Sequence, residues 1–147
     1  MKTIANVTNA VPTLRQFIGK SQLSALGDAC RGEERQWFKD RLCELADQLA
    51  NMPETYAQDG MGDQAIVTLH YFAGGSANWW ITERDSDPDG EGQVQAFGLA
   101  NMFGGPNDQE AELGYISIKE IIENGGELDL HFTPCTLAEL KETRQAA

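Results

Sequence analysis

Two strand-like runs separated by a pair of glycines constrain the fold of this chain more than any other feature. Residues 65–72 and 78–83 are rich in β-branched and aromatic side chains, and a Gly-Gly pair stands between them at 74–75. Runs of this composition on either side of a tight turn predict a β-hairpin. A turn centred on the glycine pair places His70 opposite Trp79. The chain is therefore expected to contain a sheet.

The residues that precede the hairpin follow the 3.6-residue period of α-helices instead. The clearest helix is predicted over 33–51, with Glu33 and Glu34 in the first turn, where the helix dipole favours acids. The apolar face of this helix carries Phe38, Leu42, Leu45 and Leu49. Shorter helices are predicted to open at Pro12 and after a capping Ser21.

The residues after the hairpin predict further short strands and two helices. Strands are expected at 94–99 and 113–116, and the clean alternation of 127–132 predicts a strand with one solvent-exposed face. Capping-box spacing at 117–120 and 136–139 predicts the start of a short helix and of a terminal helix.

This order of elements predicts an α+β fold. We expect N-terminal helices packed on a mostly antiparallel sheet, with a short helix before the last strand and a C-terminal helix. The helical part is expected over 1–53, the sheet-rich part over 64–134 and the terminal helix over 136–147. A chain of 147 residues is long enough to bury a core as one domain.

The net charge of −12 is unevenly distributed along the chain. Residues 1–41 hold seven basic and four acidic side chains, whereas residues 42–118 hold 13 acidic side chains and one basic one, Arg84. Phosphate contacts need clustered Lys and Arg, so direct nucleic-acid binding is not expected. The charge favours a protein partner with a basic surface. A role in solubility alone is the alternative.

The cysteines and the apolar runs indicate a cytoplasmic protein. Cys30, Cys43 and Cys135 are scattered and form no Cys-x-x-Cys pair, so we expect free thiols in a reducing compartment. No apolar run is long enough to span a bilayer, and the N-terminus lacks the apolar stretch of a secretory signal, so no membrane association is expected. No cofactor is predicted, because the sequence has no P-loop, GxSxG or HExxH motif.

The acidic run at 85–90 is similar to the start of a calcium-binding loop. Asp85, Asp87 and Asp89 alternate as the first ligands of such a loop do, and Gly90 follows them. Ala96 stands where that loop needs its bidentate glutamate, and the flanking residues predict strands rather than helices. We therefore interpret the run as a turn, with weak calcium binding left open.

The two histidines are a second candidate for metal or acid–base chemistry, with Glu83 or Asp129 as partners. In the predicted hairpin, His70 and Glu83 lie roughly 13 Å apart at about 3.3 Å per residue, which is too far to share an ion. Asp129 and His131 share the polar face of a predicted strand, where a solvated histidine is the better interpretation. No metal is therefore expected.

Two adjacent tryptophans suggest a pocket. Neighbouring strand residues point to opposite faces, so Trp79 and Trp80 cannot act on one surface, and at least one of them is expected in the core. The other can line a pocket, for which Tyr115 and His131 are further candidates.

Four motifs of the sheet-rich part resemble those of a known group of proteins. The motifs are Trp80–Asp85, Ala96–Ala100, Glu112–Ser117 and Leu130–Pro134. The chain resembles a family of small uncharacterised bacterial proteins carried on plasmids, integrative elements and phages. The resemblance covers about residues 65–134 and extends weakly to 30–34. It implies that the chain is carried on a mobile genetic element, and it leaves the activity open.

These observations favour a non-enzymatic accessory protein that acts by protein–protein interaction, with counter-defence through mimicry of nucleic-acid charge as one form of that role. The acidic residues predicted to bind the partner are Glu83, Asp85, Asp87, Asp89, Glu91, Asp108, Glu110 and Glu112. The alternative is a small enzyme or ligand-binding module. Its pocket would lie near Trp79, Glu83, Glu112 and Tyr115.

Overall fold

The computed structural model describes residues 1–86, 92–102 and 111–146, and it has the predicted α+β class. Contacts divide the chain into two compact units, Met1–Met52 and Pro53–Ala147. The first unit contains the N-terminal helices, and the second contains the sheets and the C-terminal helix. That the chain is a single domain stays a prediction. Within the described residues, no helix combines the length and the apolar character needed to cross a membrane.

The first unit consists of the helices α1 (Ile4–Leu14), α2 (Lys20–Ala29) and α3 (Arg35–Asn51). The prediction that a helix opens at Pro12 is wrong, because Pro12 lies inside α1. The start of α1 is capped by Thr3. The Thr3 hydroxyl accepts a hydrogen bond from the Asn6 N–H at 3.2 Å, and the Asn6 side chain accepts one from the Thr3 N–H at 2.9 Å. These reciprocal bonds form a capping box.

The helix α3 matches the prediction except at its start. It begins at Arg35, so Glu33 and Glu34 precede it rather than occupying its first turn. Its predicted apolar face is buried at Leu42, Leu45 and Leu49, and half-buried at Phe38. α3 packs against α1. The spacing of apolar residues thus identified the helix face that contributes to the core of this unit.

The second unit is built on two antiparallel sheets. Its strands are β1 (Ile66–Val67), β2 (Leu69–Ala73), β3 (Ala77–Glu83), β4 (Ala96–Asn101), β5 (Glu112–Ile116), β6 (Glu127–Leu128) and β7 (Cys135–Thr136). One sheet has the order β5-β4-β3-β2-β6, and β1 pairs with β7 in the other. α4 (Ile118–Glu123) stands between β5 and β6, and α5 (Leu137–Ala146) follows β7. A hydrophobic cluster comprises Ala65, Val67, Trp80, Leu99, Leu137 and Leu140.

The predicted hairpin is present as β2 and β3, but its register differs by one residue. The last pair before the turn is Ala73 with Ala77, so the connection has three residues rather than two, and Ser76 belongs to it. His70 consequently pairs with Trp80, not with Trp79. Because side chains alternate along a strand, the shift brings the His70 and Trp80 rings onto one face, where they stack with centroids 5.5 Å apart.

The sequence after α4 is less extended than its alternation predicts. Only Glu127 and Leu128 form a strand, and a turn follows at Leu130 and His131. The Asp129 carboxylate accepts a hydrogen bond from the His131 N–H at 2.9 Å. Such side-chain bonds two residues forward favour turns over strands.

Both predicted capping boxes begin helices. The Ser117 hydroxyl accepts a hydrogen bond from the Glu120 N–H at 3.1 Å. The second box is complete, because Thr136 and Glu139 each accept a hydrogen bond from the other's backbone N–H, both at 3.1 Å. Local spacing therefore determined both helix starts.

A bulge in β3 determines which face of the sheet carries Glu83. Ile81 pairs with Gly98 and Glu83 pairs with Phe97, so β3 has one residue more than β4 over this step. In a regular strand Glu83 would share a face with Trp79. The extra residue instead moves Glu83 to the opposite face, with Trp80 and Phe97.

Candidate functional site

A cavity of about 440 Å³ lies on the face of the sheet that carries Glu83. We refer to it as the Glu83 cavity. It is lined by Thr55, Tyr56, Gln58, Asp59, Gly60, Gly62, Ala65, Thr82, Glu83, Phe97, Leu113 and Leu137. All of these residues belong to the Pro53–Ala147 unit. The volume falls within the range of small-molecule sites.

The wall of the cavity formed by the segment after Pro53 is held against the sheets by hydrogen bonds. The Gln58 amide donates to the carbonyls of Ile66 at 3.0 Å and Thr82 at 2.9 Å, and its oxygen accepts from the Ile66 N–H at 2.6 Å. The Thr55 hydroxyl donates to the Arg84 carbonyl at 2.9 Å. These bonds connect the segment to β1 and to the end of β3.

Glu83 is the one acidic side chain buried in this wall. It is 5 % exposed, and no hydrogen bond or ion pair joins its carboxylate to another described residue. The other buried polar side chains of the lining are engaged, since Gln58 makes three hydrogen bonds and the Thr82 hydroxyl donates to the Phe97 carbonyl at 3.1 Å. Glu83 is therefore the acceptor that a molecule entering the cavity would meet.

Two tyrosines are hydrogen-bonded to each other beside the cavity. The Tyr56 ring lines the cavity, and its hydroxyl is bonded to that of Tyr115. Phe97 lies edge-on to Tyr115, with ring centroids 5.8 Å apart. The bond with Tyr56 raises the pKa of the Tyr115 phenol above its usual 10.0, with smaller contributions from desolvation and from the Tyr56 charge. Both phenols are exposed, so the pair lies where solvent reaches it.

Trp79 lines a different cavity, on the opposite face of the sheet. This second cavity has a volume of about 320 Å³. It is lined by Ala73, Trp79, Ala100, Met102, Tyr115, Ile116, Ser117, Glu120, Ile121 and Asn124. Of the residues predicted for the alternative pocket, Trp79 and Tyr115 line this second cavity together, whereas Glu83 lines the other one. The bulge separates Glu83 from Trp79, and Glu112 is exposed and lines neither of these cavities.

His70 is held by polar side chains on both sides of its ring. Nδ1 lies 2.9 Å from the Asp129 carboxylate, and Nε2 lies 2.8 Å from the Asn78 side-chain oxygen. The Asn78 amide nitrogen donates to the Ser76 carbonyl at 3.1 Å, which fixes its orientation. Asp129 thus binds the His70 ring as well as the His131 backbone, whereas the His131 side chain is exposed and lines neither cavity. The described residues contain no cluster of three or more potential metal ligands.

The structure changes the interpretation of two predicted partner-binding residues. Glu83 and Asp85 were expected on an exposed surface, but they are 5 % and 7 % exposed. The Asp85 carboxylate accepts a hydrogen bond from the Gln95 N–H at 3.1 Å, so it orders the chain locally. Glu112 is exposed as expected. The remaining candidates, Asp87, Asp89, Glu91, Asp108 and Glu110, lie outside the described residues.

Several cavity residues carried no signal that sequence reasoning could use. Gln58 and Asp59 lie in a turn-rich segment without hydrophobic period, and Tyr56 adopts a positive φ of 74° that a tyrosine rarely takes. Phe97 belongs to one of the family-like motifs, but its position beside Glu83 depends on the bulge.

Comparison with protein-family models, with curated proteins and with solved structures gave no match to this chain.

Proposed function

We propose that this chain is an acidic, non-enzymatic binding protein whose Pro53–Ala147 unit docks a protein partner with a basic surface. The supporting observation concerns Arg84, the one basic residue among residues 42–118. Its guanidinium lies 2.8 Å from the Glu54 carboxylate. The guanidinium of Arg84 is thus already paired with a carboxylate. Most acidic residues of 42–118 have no basic residue close to them in sequence.

Exposed acidic residues of the unit support the same proposal. Asp59, Glu112, Glu120 and Glu127 are exposed and form no ion pair within the described part of the chain. Charges of this kind steer the encounter with an oppositely charged protein and act over a Debye length of about 8 Å at physiological salt. They contribute little to folding stability, since exposed charges are well solvated.

An accessory role in a mobile genetic element is part of this proposal and is supported by the sequence motifs alone. In a counter-defence role, the acidic surface would occupy the basic groove of a nucleic-acid-binding protein. Identification of the partner tests this part, because a captured protein without a basic nucleic-acid-binding surface would contradict it.

The experiment compares capture of proteins from a bacterial lysate at low and high salt. The test variant carries Glu112→Gln, Glu120→Gln and Glu127→Gln. The matched control carries Asp28→Asn, Glu33→Gln and Glu34→Gln, which remove the same charge from the other unit. We expect less protein to be captured at high salt than at low salt. We also expect the captured protein to associate more slowly with the test variant than with wild type, and to associate with the control variant at the wild-type rate. Equal association rates for both variants would contradict the proposal.

A ligand-binding module is the second candidate, and the Glu83 cavity is the observation that favours it. The cavity has a suitable volume and presents a buried carboxylate without a partner among the described residues. Binding there would not require the exposed acids to contact a protein.

A further inference from the structure

We propose that the Glu83 cavity binds the cationic end of an alkylguanidinium or alkylammonium group. This inference rests on the second candidate function and names its ligand class. It is independent of whether the exposed acids of the unit dock a protein.

The Glu83 side chain lines the cavity without an ion pair or hydrogen bond to any described residue. It is 5 % exposed, so little bulk water reaches it. A carboxylate in such a position gains from a hydrogen-bond donor of opposite charge. A cationic group entering the cavity would supply both the donor and the charge.

The rest of the cavity wall is mostly apolar. Ala65, Phe97, Leu113 and Leu137 are apolar and can bury an alkyl stem, and the Tyr56 ring can pack on it. Asp59 adds a second negative charge at an exposed position of the lining. An apolar wall with an acceptor that carries negative charge matches a ligand with an alkyl chain and a positively charged end.

Anions and Ca²⁺ match the lining of the cavity less well than an organic cation does. No Lys, Arg or His is among the described residues that line the cavity, so an anion would find only negative charge. Inorganic cations such as Ca²⁺ require six or more oxygen ligands, whereas the lining offers two carboxylates, and one of these is exposed. An organic cation needs only one carboxylate together with an apolar wall.

The ligand can be a free small molecule or a Lys or Arg side chain of a protein. Both sources present the same chemistry to Glu83, and they differ in whether a peptide backbone can approach the opening of the cavity. The test therefore includes both forms.

The experiment measures binding to the full chain by isothermal titration calorimetry. The probes are n-butylguanidinium and n-butylammonium, and the matched controls are n-butanol and butyrate. A blocked Gly-Arg-Gly peptide tests the side-chain source. The variants are Glu83→Gln, which removes the charge, and Leu113→Trp, which fills the cavity at a half-exposed edge-strand position without altering Glu83. Glu142→Gln is the control, because it removes the same charge from an exposed position of α5 outside the cavity.

We expect the two cations to bind and the neutral and anionic controls not to bind. Glu83→Gln should weaken cation binding about tenfold to a hundredfold, because it replaces a charge-assisted hydrogen bond by a neutral one. Leu113→Trp should also weaken binding, whereas Glu142→Gln should leave it unchanged. Binding of the peptide would assign the source to a protein side chain, and binding of the free cations alone would assign it to a small molecule.

Two results would overturn the inference. One is the absence of cation binding to the wild-type chain, and the other is equal binding to wild type and a folded Glu83→Gln variant. If Glu83→Gln does not fold, unchanged binding to Leu113→Trp has the same consequence. If the chain captures no protein in a salt-dependent way but still binds the cations, only the docking proposal is contradicted. Failure of the docking proposal can therefore be distinguished from failure of the cation-binding proposal.

Discussion

The hydroxyl groups of Tyr56 and Tyr115, 59 positions apart in sequence, are hydrogen-bonded to each other. Their rings meet edge to face, with centroids 6.4 Å apart. The bond connects the segment after Pro53, which forms one wall of the Glu83 cavity, to the edge strand β5. It thereby joins parts of the chain that no sequence pattern relates.

Substitution of Tyr56→Phe should lower the pKa of Tyr115 toward 10.0, because the hydrogen bond that raises it is lost. A phenol whose pKa is raised by folding contributes stability that is present below pH 10 and is lost as the pH rises through the raised value. The variant should show less of this alkaline loss. Phenolate absorbance measured against pH tests the shift.

Tyr71 provides the internal control for this titration. It is fully buried, and burial raises its pKa well above 10.0. Its ionisation should therefore coincide with unfolding in both wild type and Tyr56→Phe. Because the variant has one phenol fewer, the comparison is of the Tyr115 transition, and an unchanged midpoint would show that the Tyr56–Tyr115 bond does not affect Tyr115.

Substitution of Leu42→Ala should lower the free energy of unfolding by about 2–5 kcal/mol, as is usual for a large-to-small change in a core. Leu42 is 1 % exposed on the apolar face of α3. Ile4→Ala is the matched control, since Ile4 is 48 % exposed and should cost less than about 0.5 kcal/mol. Urea denaturation measures both, and similar losses for the two variants would contradict the assignment of Leu42 to the core.

Substitution of Thr136→Ala should destabilise the chain by about 0.5–2 kcal/mol through loss of the cap of α5. Thr133→Ala is the control, because Thr133 is exposed and precedes the cap. The cap also predicts a pH effect. Hydrogen bonds from the backbone and side chain of Thr136 lower the pKa of Glu139 below 4.5.

A lowered carboxyl pKa contributes stability above the unfolded-state pKa, and this stability is lost as the pH falls through the folded-state value. Thermal melts between neutral pH and pH 3 should therefore show a smaller acid-induced loss for Thr136→Ala than for Thr133→Ala. Thr136→Ala keeps the backbone hydrogen bond to Glu139, so parallel pH profiles of the two variants would contradict a contribution of the Thr136 hydroxyl to the lowered pKa of Glu139.

Purified protein should carry no stoichiometric zinc, and a chelator should leave its melting temperature unchanged. Both ring nitrogens of His70 are already hydrogen-bonded, to Asp129 and Asn78, so neither is available as a metal ligand without breaking a bond. Elemental analysis measures the metal content, and one zinc per chain would contradict the prediction. A rise in melting temperature on addition of calcium would indicate ion binding at 85–90 instead.

The sequence by itself determined those features that depend on neighbouring residues. Apolar spacing in α3 identified its buried face, because a helix places residues three and four apart on one side. The Thr136–Glu139 capping box identified the start of α5, because both of its hydrogen bonds close within three residues. The composition of β2 and β3 predicted the hairpin, since β-branched and aromatic side chains suit a pleated surface.

Only the tertiary structure decided the register of the hairpin and the position of Glu83. Inclusion of Ser76 in the turn moved every pair by one residue, and the bulge beside Gly98 moved Glu83 from the face of Trp79 to that of Phe97. Strand side chains alternate with a period of two, so a shift of one residue reverses the face that a side chain occupies. The shift itself arises from pairing between strands, which local sequence patterns do not encode.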